Sequence, residues 1–516
     1  MDAIKPPKPV TTRLSSIIEI GLRGVVVDVE CHLSNGLPAV VIVGFANKAL
    51  EEAKERLRGA FASSQLVFPR KRVAINLAPG DIPKDGTGFD LAMAAAIIVA
   101  DKGCQRPPTD HQMFIGELGM SGVVRPVRGL IGKLLAARQL GFDEFFIPVA
   151  NLAQADLIPG IKLYPVRSLN QLYCHLSGLG AIRGRRSGQG FTQRPPDHKP
   201  DRSANSYYDF GDISEQETSK RALEIAATGG HNVLLSGPPG TGKTMLAQAL
   251  PSILPAPSVE EVLEITHLQS LAERQFEQIV WTRPFRAPHH TASQVTLIGG
   301  GNRGRPGEVS LSHGGVLFLD ELPEFRRATI ESLRQPLENK VVTISRLRQT
   351  VTYPANFTLV ATANPCPCGF FGSARACRCL PYQISRYQQR LSGPILDRID
   401  LFVAVSDTTN HRLLDSESHQ ETSADIRQRV LAGRQRQTKG LNANLDNNSL
   451  KEVSHLTTAA RSLLRQAAQR HHLSARAYIK TIKVARTIAD LDNSQQVNDQ
   501  HLSEALQYRI SQVVTS

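Results

Sequence analysis

The chain has 516 residues, enough for about three domains with sizeable cores. Its hydrophobic fraction of 41% and charged fraction of 21% are those of a soluble globular protein, and its longest strongly apolar run, residues 91–100, is too short to span a bilayer. Lys plus Arg exceed Asp plus Glu by 60 to 47, a balance that points to a polyanionic partner. The opening residues carry no apolar signal region, so a cytoplasmic location is expected. The seven cysteines argue against a secreted disulfide framework.

In chain order, residues 1–178 alternate strand and helix signals. Residues 24–30, 39–43 and 72–77 read as strands. Asn47 is placed to cap a helix running to about Ser63, with Leu50, Ala53, Leu57, Ala60 and Phe61 on one face. A buried helix over 91–100, a strand over 113–118 and a helix over 130–140 complete an α+β domain. Two stretches here, Pro83-Lys-Asp-Gly-Thr-Gly-Phe-Asp90 and the segment from Gly116 to Lys133, resemble the proteolytic domain of Lon-type proteases, with a ribosomal S5 domain 2-like fold. Those enzymes use a Ser–Lys pair, and the matching positions hold Gly88 and Ile131. Neither residue can act as nucleophile or base. The resemblance therefore implies a Lon-like fold without protease chemistry. Lys133 lies nearby as a substitute base, but no serine stands at the matching place. Assembly and nucleic-acid binding are the roles left open for this domain.

Residues 179–207 are rich in Gly, Arg, Ser and Pro and keep no apolar period, which predicts a flexible basic linker. Arg183, Arg185 and Arg186 either touch phosphate backbones or ride on a solvated tether.

Residues 208–404 hold the strongest motif. An apolar strand over 232–236 leads into Gly237, Pro238, Pro239, Gly240, Thr241, Gly242, Lys243 and Thr244, and then into a helix. Strand, glycine loop and helix with a closing Lys-Thr is the P-loop pattern, and it implies ATP. Loop amides and the helix N-terminus cradle phosphates, Lys243 reaches the β- and γ-phosphates, and Thr244 ligates Mg²⁺. An apolar strand from Gly314 ends in Asp320 and Glu321. Asp320 is placed to hold Mg²⁺ through water, and Glu321 to orient and deprotonate the attacking water. The next strand ends in Asn364 and resembles the sensor-1 strand of AAA+ ATPases.

Further resemblances follow in the same region. The segment Leu391-Ser-Gly-Pro-Ile-Leu-Asp-Arg-Ile-Asp-Leu401 resembles the arginine-finger segment of magnesium-chelatase motors and MCM helicases. This makes Arg398 the candidate finger, with Arg390 as runner-up and a salt bridge to Asp397 or Asp400 as the plainer reading. Residues 340–353 alternate around Arg346 and Arg348 and read as a hairpin with a basic tip. Residues 255–310 suit that group's helix-2 insert. Arg303, Arg346 and Arg348 are the candidate pore contacts with DNA phosphates, against a merely solvated hairpin.

Cys366, Cys368, Cys377 and Cys379 flank a short loop. Four thiolates this close point to a structural Zn²⁺, although the one-residue spacing is tighter than usual. Redox-sensitive thiols and unligated cysteines are the alternatives. From about 405 to 516 the chain reads as a helical lid, and the resemblance makes Arg476 its sensor 2, with Arg486 as alternative.

Taken whole, the chain resembles the ComM/YifB family of magnesium-chelatase-like AAA+ proteins. The expected architecture is an α/β P-loop AAA+ core, with a parallel sheet and helices, preceded by the Lon-like domain and followed by the helical lid. The resemblance implies an ATP-driven homo-hexameric DNA helicase that promotes branch migration on single-stranded or branched DNA. Natural transformation or recombination would be its setting, with recombination proteins as candidate partners. Metal insertion into a porphyrin and protein remodelling are the alternatives.

Overall fold

The computed structural model describes residues 11–20, 23–44, 48–80, 84, 88–102, 104–188, 208–272, 279–301, 304–345, 350–391, 393–406 and 421–514. They form two compact units, Met1–Asp197 with Ser258–Val280, and His198–Pro257 with Trp281–Ser516.

The first unit is a mixed sheet covered by helices. Its elements are β1 (Thr11–Ile20), β2 (Arg23–Ser34), β3 (Ala39–Val43), α1 (Lys48–Ser63), β4 (Arg72–Ala78), α2 (Asp90–Lys102), β5 (Gln112–Phe114), β6 (Glu117–Leu118), β7 (Val124–Arg125), α3 (Leu130–Gln139), β8 (Glu144–Pro148), α4 (Leu152–Ala155), β9 (Lys162–Val166), α5 (Leu169–Leu176) and β10 (Arg185–Arg186). Eight strands run in the order β10-β9-β8-β5-β1-β2-β4-β3. The long β1–β2 hairpin is antiparallel, while β1, β5, β8 and β9 are mutually parallel. Helix α2 lies in the core with Leu91, Met93 and Ile97 fully buried, each contributing about 1.5–3 kcal/mol by transfer from water. The expected face of α1 packs inward through Ala53, Leu57, Ala60 and Phe61; Asn47, its expected cap, lies outside the described residues.

Two expectations for this unit change. The strand expected over 113–118 is two strands, β5 and β6, interrupted at Ile115 and Gly116, and a Cβ on Gly116 would press to 3.0 Å on Leu91 and Val124. The linker expected from 179 starts later. Strand β10 pairs antiparallel with β9, Ile182 is buried, and Arg185 binds Asp156 at 2.5 Å. Residues 189–207 lie outside the described residues.

The second unit opens with α6 (Glu217–Gly229), β11 (Val233–Ser236) and α7 (Lys243–Ile253). The next helix in the chain, α8 (Val259–Ala272), belongs instead to the first unit, where it packs on α3. The placement of 255–310 within the ATPase core therefore changes for α8. The second unit resumes with β12 (Phe285–Arg286), α9 (Gln294–Ile298), β13 (Gly299–Gly300), β14 (Arg305–Pro306), α10 (Glu308–Leu311), β15 (Val316–Leu319), α11 (Arg327–Glu331), α12 (Arg334–Asn339), β16 (Val341–Ser345), β17 (Thr350–Pro354), β18 (Thr358–Ala363), α13 (Pro381–Gln388), α14 (Gly393–Leu396) and β19 (Leu401–Ala404). Five strands form a wholly parallel sheet in the order β12-β15-β18-β11-β19. Strands β15, β18 and β11 are almost wholly buried, as a parallel sheet covered on both faces requires. Their carboxyl ends line one edge, the place where such sheets hold ligands. The expected hairpin is present as antiparallel β16 and β17.

The lid comprises α15 (Ser423–Gln435), α16 (Asn447–Val453), α17 (Thr458–Arg470), α18 (Ala475–Leu491) and α19 (Asp499–Val514). Ser474 caps α18 by accepting a hydrogen bond from the Ala477 amide. Val484 and Ile488 of its apolar stripe share one core with Val233 and Leu401 of the sheet. Asp400 ties the two parts together. Its carboxylate accepts from the Asn232 amide at 2.8 Å and pairs with Lys480 of α18 at 2.7 Å. Among the described residues, no helix is long and apolar enough to cross a membrane.

Candidate nucleotide site and its neighbours

The P-loop joins β11 to α7. Gly240 and Gly242 hold φ of 85° and 81°, and a side chain at either would meet nothing within 4 Å, so the loop amides stay open to an anion. The Lys243 Nζ curls inward and donates to the Gly237 and Pro238 carbonyls at 2.7 and 2.6 Å. The Thr241 hydroxyl also donates to Pro238, at 2.9 Å.

The acidic half meets the loop from β15. The Thr244 hydroxyl donates to Asp320 Oδ2 at 3.3 Å. With the Thr244 hydroxyl as a direct ligand of Mg²⁺, a carboxylate oxygen 3.3 Å away is placed to bind a water of the same ion, so the pair fits that ion. Thr362 of β18, not singled out in the sequence, orders both acids. Its hydroxyl donates to Asp320 Oδ1 at 2.5 Å and accepts from the Glu321 amide at 2.9 Å. Glu321 holds a left-handed φ of 53°, a strained conformation for a non-glycine residue, and its carboxylate is half-exposed. His290 Nδ1 stands 4.0 Å from that carboxylate. Asn364 follows β18 directly and is partly exposed at the same edge.

The arginines sort by partner. Arg398 Nη2 binds Glu338 Oε2 at 2.6 Å, and its Nη1 donates to the Pro394 carbonyl at 2.6 Å. Asp397 and Asp400 are not the ion-pair partners the plainer reading named. Arg476 Nη2 binds the other oxygen of Glu338 at 3.3 Å. One carboxylate of α12 thus holds both the candidate finger and the candidate sensor 2. Sequence spacing could not show this, because Glu338 lies 60 residues from Arg398 and 138 from Arg476. Arg486, the alternative sensor, is buried in structural bonds to Asp490 and to the Ser494 and Gln495 carbonyls. Arg390 pairs with Glu324 at 3.0 Å. Arg303, Arg346 and Arg348 lie outside the described residues.

The four cysteines come together. Their Sγ atoms all lie within 4.8 Å of one another, and Cys366 is 3.4 Å from Cys368 and 3.7 Å from Cys377. Cys368 and Cys377 are 3.6 Å apart. A tetrahedron of Zn–S bonds of about 2.3 Å has edges of about 3.8 Å, so the donor set fits zinc. Amides of Phe370 and Arg378 pull the Cys368 thiol down to about 6, while, against a backbone hydrogen bond to each, burial and the neighbouring sulfurs push Cys377 up and Cys379 up to about 12.

In the first unit, a Cβ built on Gly88 would stand 3.9 Å from Lys133 Nζ. The amine beside the nucleophile position therefore belongs to Lys133. Ile131, the residue matched by spacing, is buried in the core. Desolvation lowers the Lys133 pKa while Glu19 opposes it, and the ammonium donates to the Arg128 carbonyl at 3.0 Å. An amine thus stands beside Gly88, but no nucleophilic side chain does. Helix α8 closes over this region through His267, whose Nε2 lies 2.7 Å from Glu19.

Comparison with known proteins gives a consistent placement. The family described as "Magnesium chelatase, subunit ChlI" matches residues 209–413, "Subunit ChlI of Mg-chelatase" matches 29–151, and "Magnesium chelatase, subunit ChlI C-terminal" matches 420–509. The chain is 40% identical over 496 residues to the uncharacterized protein YifB of Escherichia coli, covering 95% of each chain. It is 40% identical over 494 residues to the competence protein ComM of Haemophilus influenzae, covering 95% of this chain and 96% of that one. Lon protease 1 of Sorangium cellulosum is 28% identical over 174 residues, 31% of this chain and 21% of that protein. With the P-loop sheet, the helical lid and the Lon-like first unit already in place, the chain belongs to the ComM/YifB family of magnesium-chelatase-like AAA+ proteins.

Proposed function

We propose that the protein is an ATP-hydrolysing, homo-hexameric DNA motor that promotes branch migration during natural transformation or recombination. The observation that carries the ATPase reading is the meeting of Thr244, Asp320, Glu321 and Thr362 at one edge of the parallel sheet. The DNA reading draws on the 40% identity to a protein named for competence and on the excess of basic residues.

Bound Mg²⁺ would supply charge neutralisation at the phosphates, held by Thr244 and Asp320. The glycine loop and Lys243 would bind the phosphates. Glu321 would take the proton of the attacking water, and Asn364 would position that water. Arg398 would stabilise growing charge on the phosphates of a neighbouring subunit, which is why a ring is part of the reading, and Arg476 would serve as sensor 2 of the lid. The cysteine quartet would hold a structural zinc. Gly88 offers no nucleophile, so proteolysis forms no part of this function.

A chelatase-type motor is the second reading, favoured by the three family matches. ATP turnover measured with single-stranded, duplex and forked DNA across a salt series decides between them. Stimulation that fades with salt is expected. Loss of stimulation in Arg346→Ala/Arg348→Ala, with basal turnover kept, would place DNA in the pore. Unstimulated turnover with every DNA would turn the assignment towards the chelatase or protein-remodelling class.

A further inference from the structure

The cysteine loop does more than follow the nucleotide site in sequence. It follows β18, its first cysteine standing two residues after Asn364, and its first turn lies against the P-loop. Gly369 is the point of approach. A Cβ there would stand 2.6 Å from Pro239 Cδ and 3.1 Å from Pro239 Cγ, and the residue also holds a φ of 85°. Only glycine satisfies both demands.

The same turn carries the metal donors. The Gly369 amide donates to the Cys366 carbonyl at 2.9 Å, and the Phe371 amide donates to Cys366 Sγ at 3.3 Å. Cys366 is fully buried, and Cys368 is the residue before Gly369. The positions of two donor sulfurs and of the Pro239 contact are therefore fixed by one tight turn. On the other side, Pro239 follows the carbonyl of Pro238 that receives both Lys243 Nζ and the Thr241 hydroxyl. A shift of the turn is a shift of the carbonyl that sets Lys243.

We propose that the zinc-closed loop is a clamp on the P-loop, so that zinc occupancy sets the nucleotide affinity of the same subunit. This rests on the zinc reading given above. Four bonds to one ion would hold the 366–369 turn against Pro239; without the ion that cross-link between the two cysteine pairs is gone and the turn is free to relax.

The test uses the full chain and the fluorescent nucleotide mant-ADP. Metal content is measured by atomic mass spectrometry. Affinity is measured on the untreated protein, after stripping with a zinc-selective chelator, and after adding zinc back, with magnesium in excess throughout. The expected results are one zinc per chain, binding weaker by about tenfold or more after stripping, and recovery with added zinc. Gly369→Ala is expected to keep its zinc and still bind mant-ADP about tenfold more weakly, because the added methyl meets Pro239 and the backbone is strained. Circular dichroism reports whether stripping unfolds the chain; in that event zinc-loaded Gly369→Ala gives the decision. Zinc present with affinity unchanged in both stripped protein and Gly369→Ala would overturn the clamp and leave the zinc site standing. A chain that neither carries nor takes up zinc would remove the zinc reading and the clamp with it.

Discussion

Two residues outside the recognised motifs organise the candidate chemistry. Thr362 holds Asp320 and the Glu321 amide with a single hydroxyl. Replacing it with the isosteric valine leaves a partly buried carboxylate short of a donor, a loss of roughly 1–3 kcal/mol. Thr362→Val is expected to lower kcat for ATP by about tenfold to a hundredfold in a steady-state phosphate-release assay, and to lower the thermal midpoint by a few degrees. Glu338 holds Arg398 and Arg476. Arg398→Ala should lose about 10³-fold in turnover. Mixing it with Lys243→Ala protein should restore part of that activity, because each variant supplies what the other lacks across a subunit boundary. No recovery on mixing would place the action of Arg398 within its own subunit. Glu338→Gln should keep nucleotide binding and lower kcat, since an amide holds two guanidiniums less firmly than a carboxylate.

At the scale of elements, the joint between sheet and lid is sensitive to acid. His231, two residues before β11, is fully buried with its Nε2 2.8 Å from the Thr487 hydroxyl of α18. Burial pushes its pKa down to about 4, with nearby Asp400 opposing. Between pH 6.5 and 4 the unfolded chain takes up the proton before the folded chain does, so stability falls as pH falls, by about 3 kcal/mol over the window. Asp400 behaves differently. Burial would raise its pKa, yet Lys480 and His231 hold it below the ordinary range, so its contribution is lost only below about pH 3.8. Urea midpoints at pH 7 and pH 5 should show the histidine loss, and His231→Gln should flatten it.

What the sequence reveals divides along the same line. The P-loop, the acids after β15, Asn364 and the β16–β17 hairpin were legible because each is a local pattern within one strand and its turn. The cysteine cluster was legible because its four donors fall within fourteen residues. Glu338, Thr362 and the nearness of Lys133 to Gly88 were not, since each depends on strands and helices far apart in sequence. Strand β1 escaped because Thr11-Thr-Arg-Leu-Ser-Ser-Ile-Ile-Glu-Ile20 mixes polar and apolar residues without a clean period of two.

For the whole molecule, the proposed ring predicts a nucleotide-dependent mass. Glu321→Gln protein with ATP and Mg²⁺ should give a mass-photometry peak near six times the 56.4 kDa chain, and smaller species without nucleotide. Helix α8 constrains how such a ring can be taken apart. It belongs to the first unit although the segments before and after it belong to the second. Cutting the chain at the basic linker does not release two independent pieces. A fragment from residue 208 onward still carries α8, with Val262, Leu263, Ile265 and Leu268 deprived of the cover they have beside α3. Swapping the motor for another, or the Lon-like unit for another, would orphan that helix. Within this family the two units are therefore expected to travel together, as they do in relatives from two bacteria that match this chain across 95% of its length, while a Lon protease shares only the equivalent of one unit.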